Sequence, residues 1–354
     1  MCRTEQPSSS LSSVADLELY TNLTRSPASD PADVEALVHK RYGIEARAVR
    51  LNGERDENFH LQTPDGPGYV LKISPAGEPD ELMDLPVAVL LHLEQTAPTI
   101  PVPRIVRTLD AETRTEVPDT LGARRGANLC TFVPGKLLSK SSARTTAQRQ
   151  ACGQMLARLA KALSTFEHAA CHRTIAWDLR EVPRLASLIP DVPDLPEAPF
   201  LRELIAEFTS RIAPRLAGLR CQFVHNDFNA RNIIIDPADE SRIAGIIDFG
   251  DAVHTPLIAD VAVGVMGQLA TPEHADEAIC EYVEAYCNEQ PLQAEELSVL
   301  NWLIAGRIAQ NVIITAWHRS QHSAIQHFAG YDADFFGWRI DLARRLISSP
   351  QRTA

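Results

Sequence analysis

Four polar residues in the second half of the chain have the types and the spacing that phosphoryl transfer requires. The segment FVHNDFNARNIII places His225, Asp227 and Asn232 in the pattern H-x-D-x-x-x-x-N, and IAGIIDFGD carries Asp248 in an Asp-Phe-Gly triplet. An aspartate can accept the proton of an attacking hydroxyl group, while amide and carboxylate oxygens are ligands that Mg²⁺ prefers. The spacing therefore predicts a site that moves a phosphoryl group from a nucleotide to a hydroxyl group.

Two β-branched runs between Asn232 and Asp248 must bring these residues together. The runs III and RIAGII are separated by the turn-rich DPADES, a pattern that predicts an antiparallel hairpin. Because a hairpin returns its ends to one place, Asn232 and Asp248 should lie side by side and hold Mg²⁺. Asp227 lies on the loop that enters this hairpin and is the candidate catalytic base.

A cation on the nucleotide phosphates is the second requirement, and a lysine on a strand can supply it. Lys72 lies in YVLKIS, the predicted second strand of a hairpin that begins with NFHLQT. Glu81 opens the next predicted helix, which Pro86 begins or interrupts, and is the preferred carboxylate partner of Lys72. Asp84 and Glu94 are the rival partners.

The elements around these residues divide the chain into a strand-rich front and a helical back. Residues 1–29 are rich in Ser, Thr and Pro and predict a disordered tail, after which Asp30 and Gly43 should cap a first helix. Extended segments follow, and then long amphipathic helices. We therefore predict an α+β bilobal protein, with a small β-rich N-lobe over 30–133 and a larger, mainly helical C-lobe over 134–354.

Composition and charge exclude several classes of protein. The chain has 354 residues, 45% of them hydrophobic, and its formal net charge of −12 argues against a general nucleic-acid or membrane-surface binder. Seven scattered cysteines include no C-x-x-C pair, and no stretch predicts a secretory signal or a membrane span. We expect a cytoplasmic protein without nucleic-acid or membrane partners, and the sequence does not indicate an oligomeric state.

Six segments, taken together, resemble the aminoglycoside phosphotransferase family of small-molecule kinases, which has a protein-kinase-like fold. In order they are GERDENFHL (53–61), YVLKIS (69–74), LCTFVPGKLL (129–138), WDLR (177–180), the HNDFNARN and IDFGD pair, and AGRIAQNVIITAW (305–317). Within the family they are most similar to the hydroxylysine kinases. The sequence has no G-x-G-x-x-G, and Pro256 and Asp260 follow Asp-Phe-Gly almost at once without an A-P-E segment, which disfavours a protein kinase.

The resemblance implies catalytic roles for the matching residues. It makes Asp227 the base, His225 the brace of its loop, Asn232 and Asp248 the Mg²⁺ ligands, and Lys72 the phosphate ligand. ATP or GTP would be the donor, and the acceptor would be a hydroxyl group of a small amine or amino acid, with 5-hydroxylysine the first candidate.

The same resemblance implies where the nucleotide binds. The segment GERDENF, which contains Asn58, would take the place of the phosphate-covering loop. Thr131, Phe132 and Val133 would form the hinge that binds the base through backbone groups.

An amino-acid acceptor needs a partner for its carboxylate and another for its ammonium group. Arg307 is suitable for the carboxylate, and Asp178 or Asp251 for the ammonium group. Trp177 lies in WDLR, and Trp302 lies on the long predicted helix that also contains AGRIAQNVIITAW. Aromatic residues at helical spacing, however, are more often part of a core than of a pocket.

Two alternatives are compatible with the same motifs. Aminoglycosides, homoserine, choline and ethanolamine are other acceptors on this fold, and the net charge of −12 suits polycationic acceptors. A catalytically silent protein that only holds a ligand is the alternative from another class. The presence of Asp227, Asn232, Asp248 and Lys72 together argues against it, because a binding protein has no chemical need for all four.

Overall fold

The computed structural model describes residues 28–53, 55–118, 124–142, 144–192, 195–321 and 333–348. Most of the predicted tail, residues 1–27, lies outside the described residues. Ser29 belongs to the folded part, because its backbone N–H (2.8 Å) and its hydroxyl (3.1 Å) both donate to the Glu57 carboxylate.

The first helix, α1 (Pro31–Tyr42), has the caps that the sequence predicted. The Asp30 side chain accepts a hydrogen bond from the Ala32 N–H, and Gly43 ends the helix at φ 69°. Val34 and Val38 are buried against the sheet that follows.

A six-stranded antiparallel sheet follows α1 and positions Lys72. Its strands are β1 (Arg47–Leu51), β2 (Glu57–Thr63), β3 (Gly66–Ile73), β4 (Ile105–Val106), β5 (Thr115–Pro118) and β6 (Arg124–Thr131), ordered β1-β2-β3-β6-β4 with β5 paired to β6. Leu71 and Ile73 pack in the core beneath α1. Because side chains alternate along a strand, Val70 and Lys72 lie on the other face, where they line a cavity.

Helix α2 (Asp80–Thr96) corrects the prediction at Pro86. The helix neither begins nor breaks there, and Pro86 lies inside it. A proline in a helix interior removes one hydrogen bond, but the buried face of α2, which includes Leu85, Val89 and Leu93, keeps the element against the core.

The rest of the chain is mainly helical, as predicted. Helices α3 (Thr146–Leu163), α4 (Ala198–Glu207), α5 (Ala213–Leu216), α6 (Leu257–Met266), α7 (Ala275–Glu289), α8 (Ala294–Gln321) and α9 (Ala333–Ser348) share one apolar core. A π-helical turn, Phe208–Ile212, joins α4 to α5, and 3₁₀ turns occupy Leu138–Lys140, Ala169–His172, Leu179–Ser187 and Ile189–Asp191. The α+β class and its β-rich front are confirmed, whereas the boundary at residues 133 and 134 stays a prediction.

Helix α8 is the central element of this helical part. The stretch Ala294–Ser320 is long and apolar enough to cross a membrane, yet 83% of its most apolar part is buried inside the protein. Such burial is typical of a core helix.

Two small antiparallel sheets hold the predicted motifs. Strands β7 (Lys136–Leu137), β9 (Ile233–Ile235) and β10 (Ile243–Ile246) form one in the order β10-β9-β7, and β8 (Cys221–Val224) pairs with β11 (Val253–Pro256). Strands β9 and β10 form the hairpin that the sequence predicted between Asn232 and Asp248.

Gly153 on α3 tests how tightly the helices pack. A Cβ atom there would lie 2.3 Å from the Tyr282 carbonyl oxygen on α7, so Gly153→Ala should destabilise the protein by about 1–3 kcal/mol despite the better helix propensity of alanine. Gly337 on α9 is the matched control, because a Cβ there meets nothing within 4 Å.

Gly337→Ala should therefore stabilise the protein by roughly 0.5–1 kcal/mol. Urea unfolding of both variants gives the two free energies. Equal effects of the same sign would contradict the close α3–α7 contact.

Candidate active site

The candidate catalytic loop, residues 225–232, runs from β8 to β9 and is held in part by a side chain of α6. Asn226 adopts a left-handed conformation at φ 60°, and its N–H donates to the Asp260 carboxylate at 2.8 Å. Asp260 is buried on the first turn of α6, and burial raises its pKa to about 7. Asp260 thus braces the loop.

His225 ties the catalytic loop to the end of β10. Its ring is fully buried, and burial lowers its pKa to about 4, so that the imidazole is neutral near pH 7. Its Nδ1 accepts from the Asp227 N–H at 3.2 Å, which assigns the ring proton to Nε2, where the Ile247 carbonyl accepts it at 3.2 Å. His225 therefore orients the backbone on both sides of the site.

Asp227 is surrounded by donors that fix its carboxylate. Asn232 Nδ2 donates to Oδ2 at 2.6 Å, Asn229 Nδ2 donates to Oδ1 at 2.6 Å, and Arg307 Nη2 lies 3.4 Å from Oδ1. Burial and then the neighbouring Asp251 raise the pKa of Asp227, whereas Arg307 lowers it. The carboxylate can therefore act as a base whose affinity for a proton is higher than usual for aspartate.

Asp248 and Lys72 join the helical part of the chain to the sheet. Lys72 Nζ lies 3.0 Å from Asp248 Oδ1. Lys72 is the main cause that holds the pKa of Asp248 below its usual value, so the carboxylate is ionised. Asp248 has φ 67°, a left-handed conformation that turns the chain directly after β10.

Glu81 does not have the position that the sequence analysis preferred. It lies exposed on the first turn of α2, and Asp248 forms the ion pair with Lys72 instead. Asp84, one of the rivals, lies 2.9 Å from Arg114 Nε.

The sheet and the catalytic loop enclose a cavity of about 1210 Å³. Its sheet end is lined by Asn58 and by the predicted hinge, Thr131, Phe132 and Val133. The Phe132 N–H is bonded to the Gly68 carbonyl at 3.1 Å and Thr131 Oγ1 accepts from the Arg104 N–H at 2.9 Å, so these contacts fix the hinge backbone.

Cys130, next to the hinge, also lines the cavity. Its thiol donates to the Val70 carbonyl at 3.6 Å, and burial raises its pKa to about 11.

Three of the five predicted acceptor residues line the other end of the cavity. They are Trp177, Asp251 and Arg307. Arg307 is held tightly, because Nη1 donates to the Trp177 carbonyl at 2.8 Å while its guanidinium lies 4.8 Å from the centre of the Trp177 ring.

Asp178 and Trp302 are outside the cavity lining. Asp178 is 1% exposed and accepts from Thr255 Oγ1 at 2.8 Å and from Arg180 Nε at 2.8 Å. Trp302 is 4% exposed and packs in the helical core under the Arg211 guanidinium. Their side chains are therefore occupied by structural contacts.

Several residues at the site were not identified from the sequence. Asn229 lies between two motif positions, and its hydrogen bond to Asp227 could have been suspected from the segment HNDFNARN. Asn311 and Thr315, one and two turns after Arg307 on α8, line the cavity with Arg339 from α9. The helical spacing of the first two is a usable signal, but nothing in the sequence connects Arg339 with the catalytic loop.

Known proteins match this chain over most of its length. A model of the family described as "Phosphotransferase enzyme family" matches residues 47–297. The chain is 25% identical over 314 residues to hydroxylysine kinase of Mus musculus, which covers 82% of this chain and 83% of that protein. Over 312 residues it is 23% identical to hydroxylysine kinase of Danio rerio, covering 85% of each.

Solved structures show the same fold. An amicoumacin kinase has a TM-score of 0.66 at 15% identity, covering 90% of this chain and 94% of the other. A microcompartment-associated aminopropanol kinase has a TM-score of 0.65 at 18% identity, covering 91% and 99%. The predicted protein-kinase-like fold is confirmed.

Arg307 should control the proton affinity of Asp227. If Asp227 is the base that the sequence predicts, it must be ionised to accept a proton, and phosphoryl transfer should fall as the pH drops through its pKa. Arg307→Gln removes a cation that lowers this pKa, so the acid limb of the kcat/KM profile should move to higher pH by about 1 unit or more.

Arg158→Gln is the matched control, because Arg158 pairs with Glu289 on the exposed surface. An acid limb that stays in place in Arg307→Gln would contradict the electrostatic coupling of Arg307 to Asp227.

Proposed function

The chain belongs to the phosphotransferase enzyme family, and on that premise we propose that it transfers the γ-phosphoryl group of ATP or GTP to the hydroxyl of 5-hydroxylysine. Its class, a small-molecule phosphotransferase with a nucleotide donor, follows from the family. The observation that carries the catalytic proposal is that Asp227, Asn232, Asp248 and Lys72 all line one cavity.

Asp227 is proposed as the base that receives the proton of the acceptor hydroxyl as its oxygen attacks the γ-phosphorus. The donors on both carboxylate oxygens support this role, because they hold the group in one orientation. His225 would keep the loop in place, since its neutral ring bonds to backbone groups on both sides of the site.

The donor set of Asn232 and Asp248 fits Mg²⁺. The Asn232 amide nitrogen is engaged by the Asp227 carbonyl (3.0 Å) and carboxylate (2.6 Å), which leaves its hard oxygen atom to serve as a ligand beside the Asp248 carboxylate. Bound Mg²⁺ would offset the charge of the donor phosphates. Lys72 would add a second positive charge there, and Asn58 and the hinge residues Thr131 to Val133 would bind the rest of the nucleotide.

The acceptor proposal rests on the curated relatives. Both of those described above are named hydroxylysine kinase, and each match covers more than four fifths of this chain. Trp177, Asp251 and Arg307 line the acceptor end of the cavity and would surround such an amino acid. Asp178 and Trp302 would act indirectly, through the packing of neighbouring segments.

Asp227→Asn tests the base. The variant keeps the shape of the side chain, so it should bind nucleotide and Mg²⁺ with little change while kcat falls by about 10²–10⁴-fold. Rapid-quench assays of transfer and equilibrium nucleotide titration measure the two properties. Asp239→Asn in the β9–β10 turn is the control, and wild-type turnover in Asp227→Asn would remove the base assignment.

A panel of acceptors tests the substrate. Transfer from ATP and from GTP should be measured with hydroxylysine, homoserine, choline, ethanolamine and aminoglycosides. We expect hydroxylysine to have the highest kcat/KM, and the better donor identifies the nucleotide. A higher value for another acceptor would keep the mechanism and exclude hydroxylysine, whereas no transfer to any acceptor would favour a ligand-binding protein.

A further inference from the structure

The charge of the cavity is opposite to the charge of the chain. The formal net charge of the protein is −12, but the described residues that line the cavity include six cationic side chains and three carboxylates. Two of these cations lie beside two of these carboxylates, Lys72 by Asp248 and Arg307 by Asp227. The other lining cations are Lys140, Arg144, Arg231 and Arg339, and the other lining carboxylate is Asp251.

Two of these cations are held on the same turn of the chain, directly after α6. Arg144 Nε donates to the Gly267 carbonyl at 3.3 Å, and Arg339 Nη2 donates to the Leu269 carbonyl at 2.6 Å. Arg339 is 6% exposed, and its guanidinium lies 4.2 Å from the centre of the Trp338 ring. The backbone of this turn therefore positions both guanidinium groups, one from the segment before α3 and one from α9.

This turn packs directly on the catalytic loop. A Cβ atom on Gly267 would lie 3.0 Å from the Ala230 backbone nitrogen and 3.2 Å from the Asn229 Cα. Asn229 in turn donates to the Asp227 carboxylate. A small molecule whose hydroxyl group lies at Asp227 would therefore lie close to the turn that holds Arg144 and Arg339, within the same cavity.

The remaining two cations lie in or next to the same loop. Arg231 belongs to the catalytic loop, and the Ser139 N–H bonds to the Ala230 carbonyl at 2.7 Å, which brings the segment of Lys140 to that loop. Both residues thus add positive charge beside the loop that carries Asp227.

We propose that Arg144 and Arg339 form a carboxylate subsite for the phosphoryl acceptor. This inference rests on the proposed function and deepens it: the acceptor is an amino acid bound by its carboxylate, and a polycation such as an aminoglycoside is disfavoured by the local charge. Arg307, the carboxylate partner that the sequence favoured, instead orients Asp227 and the Trp177 segment. Arginine is suited to this role, because its planar donors match the two carboxylate oxygens.

Pairs of acceptors that differ only in the carboxylate test the subsite in the unmodified protein. The pairs are hydroxylysine with its decarboxylated analogue diaminopentanol, homoserine with aminopropanol, and serine with ethanolamine. In any pair that reacts, the carboxylated member should have a kcat/KM about 10- to 100-fold higher. An equal or higher value for the decarboxylated member, or transfer to aminoglycosides alone, would overturn the proposal.

Arg144→Met and Arg339→Met locate the effect. Each should reduce the preference for the carboxylated member by about 10-fold or more through the acceptor KM, with the nucleotide KM unchanged. Arg158→Met is the control, because it removes the same charge from an exposed arginine that is not part of the cavity lining. An unchanged preference in both folded variants would assign the carboxylate to another group.

Binding without turnover separates this inference from the proposed function. Calorimetry of each pair, with a non-hydrolysable nucleotide present, should show tighter binding of the carboxylated member. If hydroxylysine is not phosphorylated but homoserine binds more tightly than aminopropanol, the proposed acceptor is wrong and the subsite stands. Equal binding within every pair would overturn the subsite whatever the enzyme phosphorylates.

Discussion

The hydrogen bond from the Ile247 N–H to the Asn232 carbonyl, 2.9 Å long, is the contact on which the site depends. It closes the open end of the β9–β10 hairpin and so sets the separation of Asn232 and Asp248. The Ile247 carbonyl accepts the proton of His225, which connects the same peptide to the loop of Asp227. One short segment thus sets the positions of Asn232, Asp248 and Asp227, which are three of the four residues that carry the catalytic proposal. A change in the hairpin register would move all three together.

The fourth residue, Lys72, reaches this centre from a different part of the fold. Its ion pair with Asp248 joins residues 176 positions apart, so the position of the sheet over the helices determines whether the cation meets the carboxylate. The alternation of side chains between the two faces of β3 makes this contact possible. Because Leu71 and Ile73 are buried beneath α1, Lys72 lies on the opposite face, which lines the cavity. The apolar core of the sheet and the polar site therefore lie on opposite faces of β3.

Local signals in the sequence were sufficient for the caps of α1, the β9–β10 hairpin and the loop of Asp227, since each depends on residues close in the chain. The partner of Lys72 could not be predicted, because Asp248 meets Lys72 only in the tertiary fold, whereas Glu81 is close in sequence but exposed. Trp302 and Asp178 show a related limit, since helical spacing and residue type do not distinguish a pocket from a core. Pro86 failed as a helix boundary because packing of α2 outweighs a local preference.

Cys130 has a chemical consequence for the cavity as a whole. Oxidants and electrophiles react with the thiolate form of cysteine, and a pKa of about 11 leaves almost none of that form near neutral pH. The hydrogen bond from the thiol to the Val70 carbonyl further retains the proton on sulfur. The wall next to the hinge therefore contains a sulfur atom that behaves as a small apolar group, and peroxide or alkylating reagents should leave this wall intact.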